Sequence, residues 1–223
     1  MITQAIQDYL KVIYKIEETG GSPTTNIIAE RLNVTQPSVT GMTKKLAEMN
    51  LITYTPYQGV QLTEAGRKIA LEVIRHHRLL ELYLARAMGY SWDRVHQEAE
   101  KLEHFISEEF EERMDEILGN PNSDPHGAPI PTKDGSIAER KLAALTSIPV
   151  GQTVRIKQIS DRDSEKLRYL AGIGIYPEVL IVVLEKTPFG GASLVRVGDK
   201  EHYLGEGLTD CIFVSLVTEE NPD

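Results

Sequence analysis

The chain has 223 residues, of which 41% are hydrophobic and 26% charged, with one cysteine and a formal net charge of −9. That length can bury a sizeable core in one or two domains, and the absence of any long apolar run or basic leader points to a cytoplasmic protein with no membrane partner. The lone Cys211 excludes an internal disulfide and a thiolate-rich metal site, so any bound metal is held by nitrogen and oxygen.

Charge is unevenly spread. Residues 1–70 hold seven Lys/Arg against six Asp/Glu, a net of +1, while 71–146 carry a net of −6 and 147–223 a net of −4. The first third is spared the acidity of the rest, which is compatible with a polyanion partner there.

Residues 3–18 place Ile6, Tyr9, Leu10, Ile13, Tyr14 and Ile16 at helical spacing, and Gly20-Gly21-Ser22-Pro23 ends that helix. A short helix over 25–32 and a tight turn at Asn33-Val34 lead to a third helix over 36–49. Thr35 is its N-cap and Pro37 sits in its first turn, where a missing N–H costs nothing. Val39, Met42, Leu46 and Met49 face inward. Short helix, turn, then a helix of small polar and basic residues is the helix-turn-helix arrangement. The stretch LITYTPYQGVQL that follows reads as a β-hairpin with Pro56-Tyr57-Gln58-Gly59 at its tip, making a winged helix. Thr35, Gln36, Pro37, Ser38, Thr40, Gly41, Lys44, Lys45 and Tyr57 are the candidate DNA contacts, suited to phosphate positioning and groove reading. The plainer alternative is a three-helix bundle with a solvated face.

Thr63 caps a long helix over 64–88, which carries His77 and Glu81 four residues apart. Its Leu79, Leu80, Leu82, Tyr83 and Leu84 offer more apolar surface than one neighbour covers, so a subunit interface is expected there. After a break near Gly89-Tyr90-Ser91, a helix over 91–106 places His96, Glu100, Glu103 and His104 at i, i+4, i+7 and i+8, beside an apolar stripe of Val95, Ala99, Leu102 and Ile106. Imidazole with carboxylate suits first-row divalent metals; the competing reading is a charged solvated face with incidental histidines. A helix over 107–118 completes this region. Residues 119–135, with four prolines and three glycines, read as a linker whose Asp124 and His126 are either solvent-facing turn residues or loop-borne ligands. A short helix is expected around 136–145. From Pro149 on, VGQTVRIKQI, EVLIVVLEK, SLVRVG and CIFVSLV alternate as strands of a small β-barrel or sandwich. The expected domains are 1–63, 64–146 and 147–223.

The segments DYLKVIYKIEE, IAERLNVTQPSVTGMTKKL, GVQLTEAGRKIA, HHRLLELYL, VHQEAEKLEH, PHGAPIP and LRYLAGIGIYPEV carry a resemblance. Over essentially its whole length the chain resembles the metal-dependent repressors related to the diphtheria toxin repressor and the manganese transport regulators. The resemblance implies a mainly α protein with a C-terminal all-β domain: a winged helix-turn-helix, a helical dimerisation domain and a Src-homology-3-like barrel resembling the ferrous-iron-transport accessory domain. It implies a primary metal site of Asp8, Glu100, Glu103 and His104. A second site is implied at His77, Glu81 and His96, joined either by Asp161 of the barrel or by His126 and Asp124 of the Pro-His-Gly loop. Iron-responsive relatives have Met and Cys where this chain has Asp8 and Glu100, and a Glu and a Gln where its barrel has Ser160-Asp161-Arg162-Asp163-Ser164. Short manganese regulators have a Glu at the position of Lys11, so their two-metal cluster is not expected. Gly41 stands where the toxin repressor has a Gln, so that base contact is not carried over.

The expected function is a homodimeric, manganese(II)-activated repressor of metal homeostasis genes acting on palindromic operator DNA. An iron(II)-activated repressor of the same architecture is the nearest alternative. A metallohydrolase is the alternative from another class, weakened because no nucleophile or general base stands apart from the ligands.

Overall fold

The computed structural model describes residues 2–55, 59–188 and 190–217. Its chain divides into two units: Met1–His77 with Lys101–Glu111 and Pro131–Ile137, and Arg78–Glu100 with Glu112–Ile130 and Ala138–Asp223.

In the first unit, α1 (Gln4–Glu18) starts at Thr3, whose side chain accepts the amide of Ile6, and buries Ile6, Leu10, Ile13 and Ile16 along one stripe. Helix α2 (Thr25–Leu32) stops at Asn33, which takes a left-handed φ of 51° that asparagine tolerates. Thr35 then caps α3 (Gln36–Glu48), with Pro37 in its first turn. Val39 and Leu46 of α3 join Ile28, Leu71 and Ile74 in one core with α1, while Met42 and Met49 pack at its margin. Each fully buried Ile or Leu there contributes roughly 1.5–3 kcal/mol. Strands β1 (Ile52–Thr55) and β2 (Gly59–Leu62) pair antiparallel from Ile52↔Leu62 to Thr55↔Gly59, which gives the expected wing. Its foot is tied to α1, because the Leu62 amide donates to Glu17 Oε1 at 2.9 Å. The wing tip with Tyr57 lies outside the described residues.

Helix α4 (Glu64–Arg86) begins with Thr63 accepting the Gly66 amide at 3.1 Å. It ends two residues before the expected boundary. Gly89 turns left-handed and the Tyr90 amide reaches back to the Leu84 carbonyl, a closing bond that ends a helix. Leu79, Leu80, Leu82 and Leu84 are all buried within the chain itself. The subunit interface expected on them therefore does not follow, because their apolar surface is already covered on several sides of the helix.

Helix α5 is shorter than the pattern implies, Val95–Leu102, and α6 spans Glu108–Leu118. Residues 103–105 form a turn, and Ser107 caps α6 by accepting the Phe110 amide at 3.2 Å. That cap competes with continuing α5 to residue 106, so Glu103 and His104 stand beyond the helix end and not on its face. Leu102, foreseen in the apolar stripe, is exposed.

In the second unit, residues 119–130 are not a loose linker. The Asp124 side chain accepts the amides of His126 and Ala128 at 2.8 and 2.9 Å, and Ser123 bridges Pro129. Both Asp124 and His126 are buried, so the solvent-facing alternative is overturned. The helix expected around 136–145 is absent; Ala143–Ala144 instead forms β3 against β8, followed by a 3-10 turn over Leu145–Ser147.

The remaining elements are β4 (Thr153–Ile159), α7 (Ser164–Gly172), β5 (Leu180–Lys186), β6 (Ser193–Val197), β7 (Lys200–Leu204), α8 (Glu206–Thr209) and β8 (Ile212–Leu216). The six strands form one antiparallel sheet in the order β3-β8-β4-β5-β6-β7. Bulges at 156–158 and 183–185 bend β4 and β5 about a core of Val154, Ile156, Ile181, Val183, Val195 and Val214. Helix α7, capped by Asp163, adds Leu167 and Leu170 to that core.

The loop carrying His126 is seated on this sheet: the Ile159 amide donates to the His126 carbonyl at 2.9 Å. Gly127 permits the contact, because its φ is +86° and a Cβ there would lie 2.0 Å from the Lys157 carbonyl oxygen. Gly127→Ala is expected to destabilise the protein by about 1–3 kcal/mol, read as a lowered unfolding midpoint in calorimetry. An unchanged midpoint would show that the loop does not rest on β4.

Candidate metal centres and DNA-reading helix

The first centre lies in the first unit, between α1 and the turn after α5. His104 Nε2 is 2.8 Å from Asp8 Oδ1 and 3.3 Å from Glu103 Oε1. One ligand-type atom from each of these three residues lies within 4.8 Å of the others. The other imidazole nitrogen, His104 Nδ1, donates to the Gln7 side-chain oxygen at 2.8 Å, so the Nε2 lone pair can face the carboxylates. Burial, with the negative charge of Glu103 added, holds the Asp8 carboxyl above its ordinary range against the pull of His104.

Glu103 is buried and is met from two further sides. Lys11 Nζ donates to both carboxylate oxygens at 2.8 Å, and His77 Nδ1 lies 2.5 Å from Oε2 and 3.5 Å from Lys11 Nζ. His77, expected in the second site, also meets Glu103 within the first unit. Gln7, Lys11 and His76 were not among the expected site residues. The position of Gln7 beside Asp8 is one hint the sequence offers.

The second centre lies in the second unit around Glu81, which is fully buried. Glu81 Oε1 is 3.1 Å from His96 Nδ1, and the same nitrogen is 3.1 Å from Asp161 Oδ2. Glu81 Oε2 faces His126 Nδ1 at 3.7 Å, and Glu81, Asp124 and His126 form a second three-ligand group. Glu100 belongs to this unit, with its carboxylate 3.8 Å from His96 Nε2. Asp163 is taken up in capping α7, which leaves Asp161 as the acid of this segment directed at His96.

His126 Nε2 donates to the Trp92 carbonyl at 2.8 Å, and the indole stacks on the imidazole at 5.5 Å between centroids. The opposite nitrogen, Nδ1, is buried with no hydrogen-bond partner among the described residues. A second-neighbour hydrogen bond that fixes the ring and turns the other nitrogen toward carboxylates is the arrangement of a ligating histidine. The local field attracts cations strongly. Although burial opposes it, Asp161 and Glu81 raise His96 to about 10, and Glu81 with Asp124 raises His126 to about 9. Burial, reinforced by Glu81, lifts Asp124 to about 7.

On α3, the side chains of Gln36, Pro37, Ser38, Thr40, Lys44 and Lys45 are exposed, as are Thr35 at the cap and the bare backbone at Gly41. A Cβ at Gly41 would meet nothing within 4 Å, so packing does not require glycine there.

Residues 1–60 match the N-terminal DNA-binding domain of iron-dependent repressors, residues 63–132 their metal-binding and dimerisation domain, and residues 143–216 the FeoA domain. Over 221 residues the chain is 32% identical to the iron-dependent repressor IdeR of Mycobacterium tuberculosis, covering 94% of this chain and 96% of that protein. The chain belongs to the iron-dependent repressor family.

The diphtheria toxin repressor of Corynebacterium diphtheriae is 35% identical over 162 residues, covering 69% of this chain and 71% of that protein. Among solved structures, a manganese-dependent transcriptional repressor in complex with manganese is 38% identical, covers 95% of this chain and 100% of its own, and superposes with a TM-score of 0.90. Members of the family are DNA-binding repressors and not enzymes, so the chain is a metal-dependent transcriptional repressor and the hydrolase alternative is set aside. No described helix is long and apolar enough to cross a membrane.

The metal-binding and dimerisation match also contains a buried clamp in the first unit. Glu111 accepts from Arg75 Nε at 2.5 Å and from His76 Nε2 at 3.0 Å, and these bonds hold its carboxyl down at about 2. A carboxyl lowered on folding stabilises the protein above its ordinary value of 4.5, and that stability drains away as pH falls towards 2. Glu111→Gln is expected to lose about 3 kcal/mol at pH 7 in urea unfolding, with the gap to wild type narrowing below pH ~4. A gap unchanged down to pH ~2.5 would show that the clamp does not depend on this charge.

Proposed function

We propose that the chain is a manganese(II)-activated repressor, in which Asp8, Glu103 and His104 hold the activating ion and Glu81, His96, His126, Asp124 and Asp161 hold a second. The observation that carries this reading is the donor set: each centre offers carboxylates and imidazoles and no sulfur. Manganese(II) binds most weakly of the divalent series, and hard oxygen-rich sites are where it competes best. His126 Nδ1, buried without a hydrogen bond and aimed at Glu81, fits a ligand of the second centre.

Asp8 belongs to α1 of the DNA-binding module, and Glu103 and His104 belong to the turn after α5. Their carboxylates repel across the gap, and a bound divalent ion supplies the positive charge that offsets this repulsion. Lys11 already ties α1 to Glu103, and a bound ion adds a second tie through Asp8, which shifts the population further toward the arrangement that reads DNA. Lys11 already occupies both oxygens of Glu103 with an ammonium, which favours one ion here over a two-metal cluster.

Leu102, Phe105 and Phe110 are 38%, 74% and 45% exposed on that same segment, and this patch supports a homodimer. Two α3 helices in a symmetric dimer suit a palindromic operator. Activation by iron(II) is the second reading, favoured by the likeness to the iron-dependent repressor IdeR.

Fluorescence anisotropy of promoter DNA with manganese, iron, cobalt, zinc or no metal tests the assignment; manganese is expected to restore binding to the metal-free protein. Asp8→Met places a soft thioether in the first centre and is expected to weaken activation by manganese relative to iron and cobalt. If the variant keeps the wild-type order, Asp8 is not a ligand. Lys44→Ala with Lys45→Ala is expected to weaken binding to all sequences and reduce the salt slope by roughly two, with metal affinity unchanged. A full-strength salt slope would move the phosphate contacts elsewhere.

A further inference from the structure

His76 is buried on α4, immediately before a residue of the metal region, and none of the ligand sets above uses it. Its ring joins two acceptors. Nε2 lies 3.0 Å from Glu111 Oε2, and Nδ1 lies 3.1 Å from the backbone carbonyl of Glu103. A carboxylate and a carbonyl can only accept, so both ring nitrogens donate. Glu111 is fixed in turn by Arg75, whose Nη1 also grips the Pro131 carbonyl at 2.8 Å.

We propose that His76 is a positioning residue for the first metal centre: through the Glu103 carbonyl it sets the backbone of the turn from which Glu103 and His104 reach the ion. Helix α5 ends at Leu102, and the carbonyls at a helix end need partners from outside the helix. His76 supplies one at the residue whose side chain enters the centre. Because Glu103 and His104 are adjacent, fixing that one peptide fixes the roots of two ligands at once. Lys11 and His77 meet Glu103 at its carboxylate, and Gln7 meets His104 at its ring. Glu111 and Arg75 hold the His76 ring, so the chain of bonds runs from a buried ion pair to a ligand-bearing peptide. Outer partners of this kind set ligand geometry and with it metal affinity.

This inference rests on the reading that Asp8, Glu103 and His104 hold an ion. The test is manganese binding to the full-length protein, followed by electron paramagnetic resonance and isothermal titration. Asp8→Ala identifies the first-centre phase and Asp161→Ala the second. His76→Leu is expected to weaken the first phase about 10- to 100-fold and leave the second unmoved. His76→Lys, which keeps a donor, is expected to recover part of the loss. Should His76→Leu fail to fold, Glu111→Gln loosens the same ring without removing it and is expected to act in the same direction. An unmoved first phase, or equal weakening of both phases, would overturn the positioning role and leave His76 as a stabiliser of the fold. If Asp8→Ala removes no phase, the ligand reading itself is overturned, and this inference with it.

Discussion

Two glutamates, Glu81 and Glu103, are taken almost wholly out of water, at 0% and 1% exposure, and each sits where several chain segments meet. A carboxylate in such a place costs several kcal/mol unless a cation or a set of donors answers it. Glu103 is answered by Lys11, His77 and His104. Around Glu81 stand His96 and His126, with Asp124 and Asp161 adding negative charge. The surroundings of each glutamate therefore have to be assembled from residues far apart in sequence, and the local geometry of both units serves that requirement.

The two assemblies differ in how the charge is met. Glu103 has a permanent cation in Lys11, so its neighbourhood is tied together with or without a metal. Around Glu81 the cationic partners are imidazoles, whose charge depends on the carboxylates crowding them. Divalent ions displace protons from such groups, so on the proposed reading binding at that centre would be coupled to proton release.

Much of this was legible in the sequence. The helical period located α1 to α4, and Thr35, Pro37 and Thr63 marked helix starts because capping and proline geometry act locally. The His-x-x-x-Glu spacing in α4 and the acids of α5 pointed to residues that stand in groups of ligand-type side chains. What failed was the assumption that one helix carries His96 through His104. No breaker marks the end of α5, and the cap at Ser107 has to win against a continuing apolar period. The linker was misjudged for a related reason. Its prolines and glycines announce irregular backbone, but the Asp124 carboxylate, not composition, decides that the irregular backbone is ordered. Strand β7, KEHYL, escaped notice because its polar residues break the alternation, whereas the turn at Gly198-Asp199 is enough to fold it back on β6. His76 was invisible on principle, since a partner of a ligand shows no spacing of its own.

The stacking of Trp92 on His126 has a practical corollary. Trp92 is the single tryptophan of the chain, and its ring lies 5.5 Å from His126 and 5.1 Å from Tyr176. The protein thus carries one indole, and it is placed beside the Glu81 cluster. Light emitted by that indole samples the imidazole beside it. A reporter of that neighbourhood is built into the chain and needs no label.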